Sequence, residues 1–185
     1  CALPIFFDDP EEATSAVEVF KQEFHAAWSG RLRAKLGLHT TAVGDDDLIQ
    51  EWLALMSNER ADFTLSFREL GGVRRNADTL PSRLSDLFID REALKAWGVR
   101  YQARLQLEAQ SDEARQANMN RVNPRFVLRN HLAQTAIESA QQGDFSEVQR
   151  LLDVLSHPYD ESPQWAAYAD LPPSWAQDLE ISCSS

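Results

Sequence analysis

Apolar residues recur every three or four positions in this chain, in one stretch after another. In the first stretch these residues are Val17, Phe20, Phe24, Trp28 and Leu32. This spacing places the side chains on one face of an α-helix, whereas a half-buried strand needs alternation with period two. The sequence has no convincing alternation of that kind and only 7 glycines in 185 residues. The pattern therefore predicts an all-α protein.

About seven segments have this helical spacing, and residues that start or stop helices separate them. Pro10 and the acidic residues after it are typical of a helix start, and Gly37 is a natural end for the first helix. The other helices are predicted to begin at Asp45, Phe63, Asp90, Ser111, Asn123-Pro124 and either Asp144 or Ser146. The polar segment after Gly71-Gly72, up to residue 81, is expected to be a mobile loop and the best candidate for a soft joint.

The composition changes near residue 158, where prolines become mixed with aromatic residues. These residues are Pro158, Pro163, Pro172 and Pro173, with Tyr159, Trp165, Tyr168 and Trp175. We expect an extended tail that lies along the helical body and is held there by its aromatic rings. The predicted organisation is a helical domain, residues 1–158, followed by a tail, residues 159–185, that ends in Ser-Cys-Ser-Ser.

Charge and cysteine content exclude several functional classes. The chain has 18 basic and 29 acidic residues and a net charge of −11, which disfavours binding to nucleic acid. No apolar run approaches the roughly 18 residues that a membrane span needs, so we expect no membrane partner. Two cysteines, Cys1 and Cys183, are too few for a disulfide-rich secreted domain, and a cytoplasmic location fits better. Because the chain begins with Cys1 and not with Met, we interpret residue 1 as a cut point inside a longer protein.

The usual signatures of metal and phosphate sites are not found in the sequence. The four histidines have no metal-ligand spacing, and neither glycine-rich phosphate-binding pattern occurs. The order of Leu128-Arg129-Asn130 and then Gly143-Asp144-Phe145 roughly imitates a kinase catalytic loop and its metal-binding motif. However, Asn130 stands where a kinase has its catalytic aspartate, and Ser146 stands where the final glycine belongs. We therefore interpret Asp144 as part of a helix cap.

Acidic runs and tryptophans are also given structural interpretations. The run Asp45-Asp46-Asp47 falls at a helix start, where the helix dipole favours negative charge, so solvated caps are a better interpretation than acid–base groups or Mg²⁺ ligands. Trp28, Trp52 and Trp97 have core spacing on amphipathic helices, and we predict that all three pack in the core.

Two places could carry more than a structural role. Arg125, Arg129 and the amide of Asn130 form a polar face that could bind acidic groups of an adjacent domain, although solvation is the favoured interpretation. Cys183 lies in a polar terminal peptide, where an accessible thiol could undergo redox chemistry or could be a surface thiol of no consequence.

Several stretches, spread over essentially the whole chain, carry recognisable motifs. They are Arg33 to Leu38, Glu59 to Thr64, Asn123 to Gln134, Gly143 to Val148, His157-Pro158-Tyr159, Pro172 to Trp175, and Ser182-Cys183-Ser184-Ser185. In this order they resemble the C-terminal region of the SelO family, called YdiU in bacteria, whose members are pseudokinase-like protein adenylyltransferases.

The resemblance implies a protein with a kinase-like fold that binds ATP and Mg²⁺ and transfers AMP to Ser, Thr or Tyr hydroxyls of proteins. The family's nucleotide-binding lysine, metal ligands and catalytic base would precede residue 1. Consequently no catalytic, cofactor-binding or metal-binding residue is assigned in this segment, which should resemble the C-terminal helical part of a kinase-like fold. The implied partners are the upstream kinase-like core of the same protein and the protein substrates, and alone the chain is expected to be inactive.

The resemblance also gives Cys183 a redox or regulatory role. The family has selenocysteine or cysteine at the third position from the C-terminus, and a disulfide to a cysteine of the kinase core is thought to control activity. That partner should lie upstream of residue 1, and Cys1 is not assigned to it. The alternative hypothesis is an independent helical interaction module without nucleotide chemistry, which the sequence upstream of residue 1 would distinguish.

Overall fold

A computed structural model describes residues 10–176 of the chain. This part contains eight α-helices, two 3₁₀ helices and no β-strand, so the all-α prediction is confirmed. The α-helices are α1 (Pro10–Lys35), α2 (Asp45–Glu59), α3 (Phe63–Leu70), α4 (Ser82–Ser85), α5 (Arg91–Leu105), α6 (Asp112–Val122), α7 (Asn130–Gln141) and α8 (Ser146–Ser156). The 3₁₀ helices are Pro163–Ala169 and Ser174–Ala176. Within the described range, no helix is both long enough and apolar enough to cross a lipid bilayer.

Local sequence signals set several of the helix ends. The side chains of Asp62, Asp90 and Ser111 each accept the backbone N–H three residues further on, which caps α3, α5 and α6. Gly37 follows α1 with φ +71°, and a Cβ there would lie 2.7 Å from side-chain atoms of Arg115 and Met119. Only glycine fits this position, which explains the end of α1.

The core lies between α2 and α5 and is organised by aromatic rings. Trp52 and Trp97 have ring centroids 4.4 Å apart, and Tyr101 stacks on Trp97 at 5.0 Å. Trp97 Nε1 donates to the carbonyl of Leu48 at 3.0 Å, and the Tyr101 hydroxyl donates to that of Leu36 at 2.6 Å. Trp52 Nε1 is buried and has no acceptor among residues 10–176. The prediction that Trp52 and Trp97 are core residues is confirmed.

The core prediction for Trp28 is wrong. Leu32 and Leu36, at the end of the same stripe, are 3% and 0% exposed, but Trp28 is 43% exposed. The reason is the length of α1, which spans about 39 Å over its 26 residues. Only its last turns reach the helices it packs against, α2 and α6.

The helix expected to begin at Asn123-Pro124 begins seven residues later, at Asn130. The Asn123 side chain is buried and donates to the carbonyl of Lys35 at 2.8 Å. The backbone N–H groups of the two residues after Pro124 donate to the carbonyl of Pro158, at 2.7 and 3.0 Å. These contacts with distant parts of the chain hold residues 123–129 in a non-helical conformation, against the local signal for a helix start.

The polar segment after Gly71-Gly72, up to residue 81, is held by contacts with the helices, so the prediction of a mobile loop and soft joint there is wrong. Val73 is completely buried, and Gln102 of α5 donates from Nε2 to the carbonyls of Arg74 and Ala77, both at 2.8 Å. Arg75 donates through its guanidinium to Asp112 and to backbone carbonyls before α6. The segment leads directly into α4, a one-turn helix that the spacing of apolar residues did not predict.

Residues 159–176 pack on the helical body and are partly 3₁₀-helical instead of simply extended. Trp165 meets Phe126 edge to face, with ring centroids 6.0 Å apart. The Tyr168 hydroxyl donates to Glu147 of α8 at 2.8 Å. Trp165 and Tyr168 therefore contact the helical body, whereas Tyr159 and Trp175 are 45% and 62% exposed.

Candidate functional site

Cys183, the one residue predicted to carry chemistry, lies outside residues 10–176, and so does Cys1. The described part of the tail ends at Ala176, which is buried. The chain is thus anchored seven residues before the thiol. The redox role of Cys183 stays a prediction.

The main polar junction of the tail forms around Glu161. Arg68 of α3 and Arg125 both donate to its carboxylate, and Asn120 of α6 donates from Nδ2 to Oε1 at 3.0 Å. The Arg68 side chain is only 8% exposed, and it also donates to the carbonyls of Asn120 and Asn123. Burial is the largest influence on Arg68 and lowers its pKa, while Glu161 opposes this effect. The Glu161 junction, made of these four side chains, joins the tail to α3, α6 and residues 123–129.

A cavity of about 330 Å³ opens beside the Glu161 junction. Its charged lining combines three arginines with three carboxylates: Arg68, Arg83, Arg125, Glu69, Glu161 and Asp170. The charges balance, and two of the carboxylates are paired, Glu161 with Arg68 and Arg125 and Glu69 with Arg83. The arrangement attaches the tail to the helical body.

The polar face predicted on Arg125, Arg129 and Asn130 is divided in the structure. Arg125 belongs to the Glu161 junction, whereas Arg129 pairs with Asp62 and is only 10% exposed. The favoured interpretation, that water solvates both arginines, is therefore wrong. Burial opposes ionisation of Asp62, but hydrogen bonds from Arg129 and from the N–H of Leu65 outweigh it and lower the pKa of Asp62. Among residues 10–176, Nε and Nη2 of Arg129 have no hydrogen-bond acceptor. An acidic group of an adjacent domain as their partner remains a prediction.

A buried charge network between α2 and α5 was missed by sequence reasoning. Arg104 donates from Nε to Asp45 at 2.6 Å and from Nη1 to Glu108 at 2.9 Å, and all three side chains are at most 7% exposed. Glu108 also accepts from the backbone N–H groups of His39 and Thr40. The only local signal was the i, i+4 spacing of Arg104 and Glu108, which is also common on exposed helices.

The network corrects the interpretation of the acidic run at the start of α2. Asp46 and Asp47 are exposed as expected, but Asp45 is buried and accepts the N–H of Ala42 at 2.9 Å. Burial opposes ionisation of Asp45, yet the hydrogen bonds from Arg104 and Ala42 outweigh it and lower its pKa. The pKa of Glu108 is lowered in the same way, against burial, by Thr40 and Arg104.

The kinase-like sequence order has no counterpart in the arrangement of the residues. Asp144 is exposed and its Oδ1 accepts the N–H of Ser146 at 2.9 Å, which caps the start of α8. Asn130 is the first residue of α7, and Gly143 lies two residues after the end of α7 with φ +84°. Asp144 thus binds the first N–H of α8, but the N-cap residue of this helix is Phe145, one position after Asp144.

The acidic side chains within residues 10–176 form no cluster that could bind a magnesium ion. Within the described range, no group of three or more His, Cys, Asp or Glu side chains could hold a metal ion. The buried carboxylates are already paired with arginines, as at Asp45, Asp62 and Glu108. No chemical step with ATP or Mg²⁺ is derived from this part of the chain.

One exposed feature was not predicted as functional. Phe20, Phe24 and Trp28 of α1 are 66%, 55% and 43% exposed and form a continuous row of rings. Sequence reasoning detected their spacing but placed the residues in the core.

Comparison with known proteins identifies close relatives over almost the whole chain. A family model described as protein adenylyltransferase SelO matches residues 3–156. The protein nucleotidyltransferase YdiU of Paraburkholderia xenovorans is 51% identical over 175 residues, which are 95% of this chain and 34% of the relative.

Two further relatives have the same name and match a similar share of the chain. YdiU of Herminiimonas arsenicoxydans is 48% identical over 183 residues, which are 99% of this chain and 36% of the relative. YdiU of Burkholderia thailandensis is 49% identical over 175 residues, 95% of this chain and 34% of the relative. The chain thus spans about a third of the length of the curated relatives it matches.

Proposed function

The chain belongs to the SelO family of protein adenylyltransferases, and we propose that it forms the C-terminal helical part of an enzyme that transfers AMP from ATP to Ser, Thr or Tyr hydroxyls of proteins. The observation that carries this proposal is the match of the family model to residues 3–156. Because the chain spans only about a third of its relatives, the activity is a property of the whole protein.

In this proposal the segment itself has a structural and regulatory role. Its buried charged side chains are engaged with one another, as in the Arg104 network and the Arg129–Asp62 pair, and this supports a structural role. ATP, Mg²⁺ and the catalytic groups would be held by a kinase-like core elsewhere in the same polypeptide. That core and the protein substrates are the partners of the segment, and the whole enzyme is cytoplasmic.

The regulatory part of the proposal concerns Cys183. Its thiol forms a disulfide with a cysteine of the kinase-like core, which releases two protons and two electrons to an oxidant. The anchoring of the tail supports this role, because the Glu161 junction and Trp165 fix the chain upstream of the thiol. The thiol lies seven residues after the buried Ala176, and this length of chain limits the distance between the thiol and that anchor.

The activity is tested by incubating the full-length protein with Mg²⁺ and ATP labelled either at the α-phosphate or at the γ-phosphate. We expect protein-bound label only from the α-labelled nucleotide, because AMP contains that phosphate. Transfer of the γ-label would identify a kinase and contradict the proposal. Transfer of AMP by the 185-residue chain alone would contradict the placement of the catalytic groups outside it.

The same assay tests Cys183 when an oxidant is added. The activity of the full-length wild type should change on oxidation, and Cys183→Ser should remove that response. Ser184→Ala is the matched control, since it alters the neighbouring residue and leaves the thiol in place. An equal response of the wild type and Cys183→Ser would exclude Cys183 from the control of activity.

A further inference from the structure

The first half of α1 presents a row of aromatic rings that we call the α1 ridge, defined by Phe20, Phe24 and Trp28. Successive ring centroids are 5.9 and 6.1 Å apart, and the rings are nearly parallel, with interplanar angles of 28° and 16°. The stacking makes one continuous apolar surface from three side chains. Continuous exposed apolar surfaces mark interaction sites, whereas single exposed apolar residues do not.

The α1 ridge continues a stripe that is buried at its other end. Leu32 and Leu36 follow Trp28 at the same spacing of four residues and lie in the core. The stripe therefore remains apolar from the core out along the exposed part of α1. Such a stripe serves burial along its whole length.

The exposed part of α1 is long, because residues 10–28 form about five turns. Stability of a longer helix in a protein comes mainly from packing of its apolar face. In the described part of the chain, the rings of the α1 ridge stack on one another and remain 43–66% exposed, so much of this apolar face is not packed.

Two observations identify the occupant of the α1 ridge. The matched relatives are about three times as long as this chain, so a full-length protein of that kind has a large further part. Residues 10–28 carry four glutamates and one lysine, so two copies packed ridge to ridge would bring like charges together. We propose that the remaining part of the same polypeptide docks on the α1 ridge through an apolar groove with positively charged rims.

This inference rests on the proposed function in one respect, namely that the chain is one part of a longer enzyme. It adds the surface through which the two parts are held together. Glu18 is paired with Lys21 at 2.6 Å, so Glu23 is the carboxylate beside the ridge that would face the positive rims and set the orientation of docking.

Hydroxyl-radical footprinting of the full-length protein tests the docking without any substitution. The rate of side-chain oxidation is measured for Phe20, Phe24 and Trp28, in the folded protein and in the same protein unfolded in urea. Docking should lower each rate by about tenfold, because the centre of an interface excludes water. Rates near half of the unfolded values, as the exposures of 43–66% imply, would overturn the proposal.

A substitution gives a second test in the full-length protein. Phe24→Asp places a charge at the middle of the α1 ridge and should raise the oxidation rates of Phe20 and Trp28 several-fold. Val43→Asp is the matched control, since Val43 is apolar and fully exposed in the loop before α2. Equal oxidation rates of Phe20 and Trp28 in both variants would contradict docking on the ridge.

The outcomes separate this inference from the proposed function. Footprinting does not depend on AMP transfer, so a protected ridge in a protein without that activity would support docking and count against the function. An unprotected ridge in an active enzyme would overturn docking alone. Light scattering at each concentration gives the mass, and protection that disappears when the protein becomes monomeric would assign the ridge to a second copy and overturn the proposal.

Discussion

At the scale of single residues, the charged groups in the interior decide most of what is specific to this fold. Arg104, Asp45 and Glu108 are nearly inaccessible, yet each carboxylate oxygen near the guanidinium has a donor. Removing charged groups from water is expensive, and only a full set of hydrogen bonds offsets that cost. The network also fixes residues 39 and 40 to the end of α5.

We expect Arg104→Met to lower the free energy of unfolding by about 3–5 kcal/mol, because it leaves two buried carboxylates without their cation. Urea denaturation at neutral pH measures this change. Arg100→Met on the same helix is the control, since Arg100 forms an exposed pair with Glu51 and should have little effect. Similar losses in the two variants would show that the network does not contribute as described.

At the scale of elements, the tail and residues 123–129 support each other. The carbonyl of Pro158 accepts two backbone N–H groups, and Glu161 binds both Arg68 and Arg125. Trp165 then covers Phe126, which is 1% exposed. The non-helical path before α7 therefore exists because the tail satisfies its backbone groups.

We expect Glu161→Ala to loosen the 3₁₀ helix Pro163–Ala169, because both arginines lose their shared carboxylate. Hydrogen exchange of the amides in this helix should become several-fold faster while the exchange of α2 and α5 stays the same. Asp160→Ala removes an exposed neighbouring carboxylate outside the Glu161 junction and serves as the control. If the two variants exchange at the wild-type rate, Glu161 does not hold the tail.

At the scale of the whole molecule, a chain with net charge −11 keeps several carboxylates ionised inside the fold. The pKa values of Asp45, Asp62, Glu108 and Asp112 are all lowered, because hydrogen bonds from arginines or backbone N–H groups outweigh burial. A lowered pKa means that the folded state binds the proton less readily than the unfolded state. These groups therefore stabilise the fold above the ordinary values, 3.8 for Asp and 4.5 for Glu.

The free energy of unfolding should consequently fall as the pH drops below about 5, and the loss should continue through the lowered pKa values. Urea denaturation between pH 7 and pH 3 measures the slope. In Asp45→Asn one of these groups is absent, so its stability should depend less steeply on pH than that of the wild type. Asp46→Asn, the exposed neighbour, should keep the wild-type slope, and a slope of Asp45→Asn equal to the wild type would refute the assignment.

Most of the helices could be predicted from the sequence, with the exceptions of α4 and the start of α7. The spacing of apolar residues and the caps at Asp62, Asp90 and Ser111 act within a few residues, so they can be read without the rest of the chain. The motifs at 123–134 and 143–148 were also sufficient to identify the family, and the family model agrees.

Which residues of an apolar stripe or an acidic run are buried depends on contacts with distant parts of the chain, and the sequence pattern does not give these contacts. Trp28 and Leu32 belong to one stripe, yet only Leu32 reaches neighbouring helices. Asp45 and Asp46 are adjacent carboxylates, yet only Asp45 meets Arg104, 59 residues away. Spacing gives the direction of a side chain around its own helix, but burial depends on what a distant part of the chain places against that side.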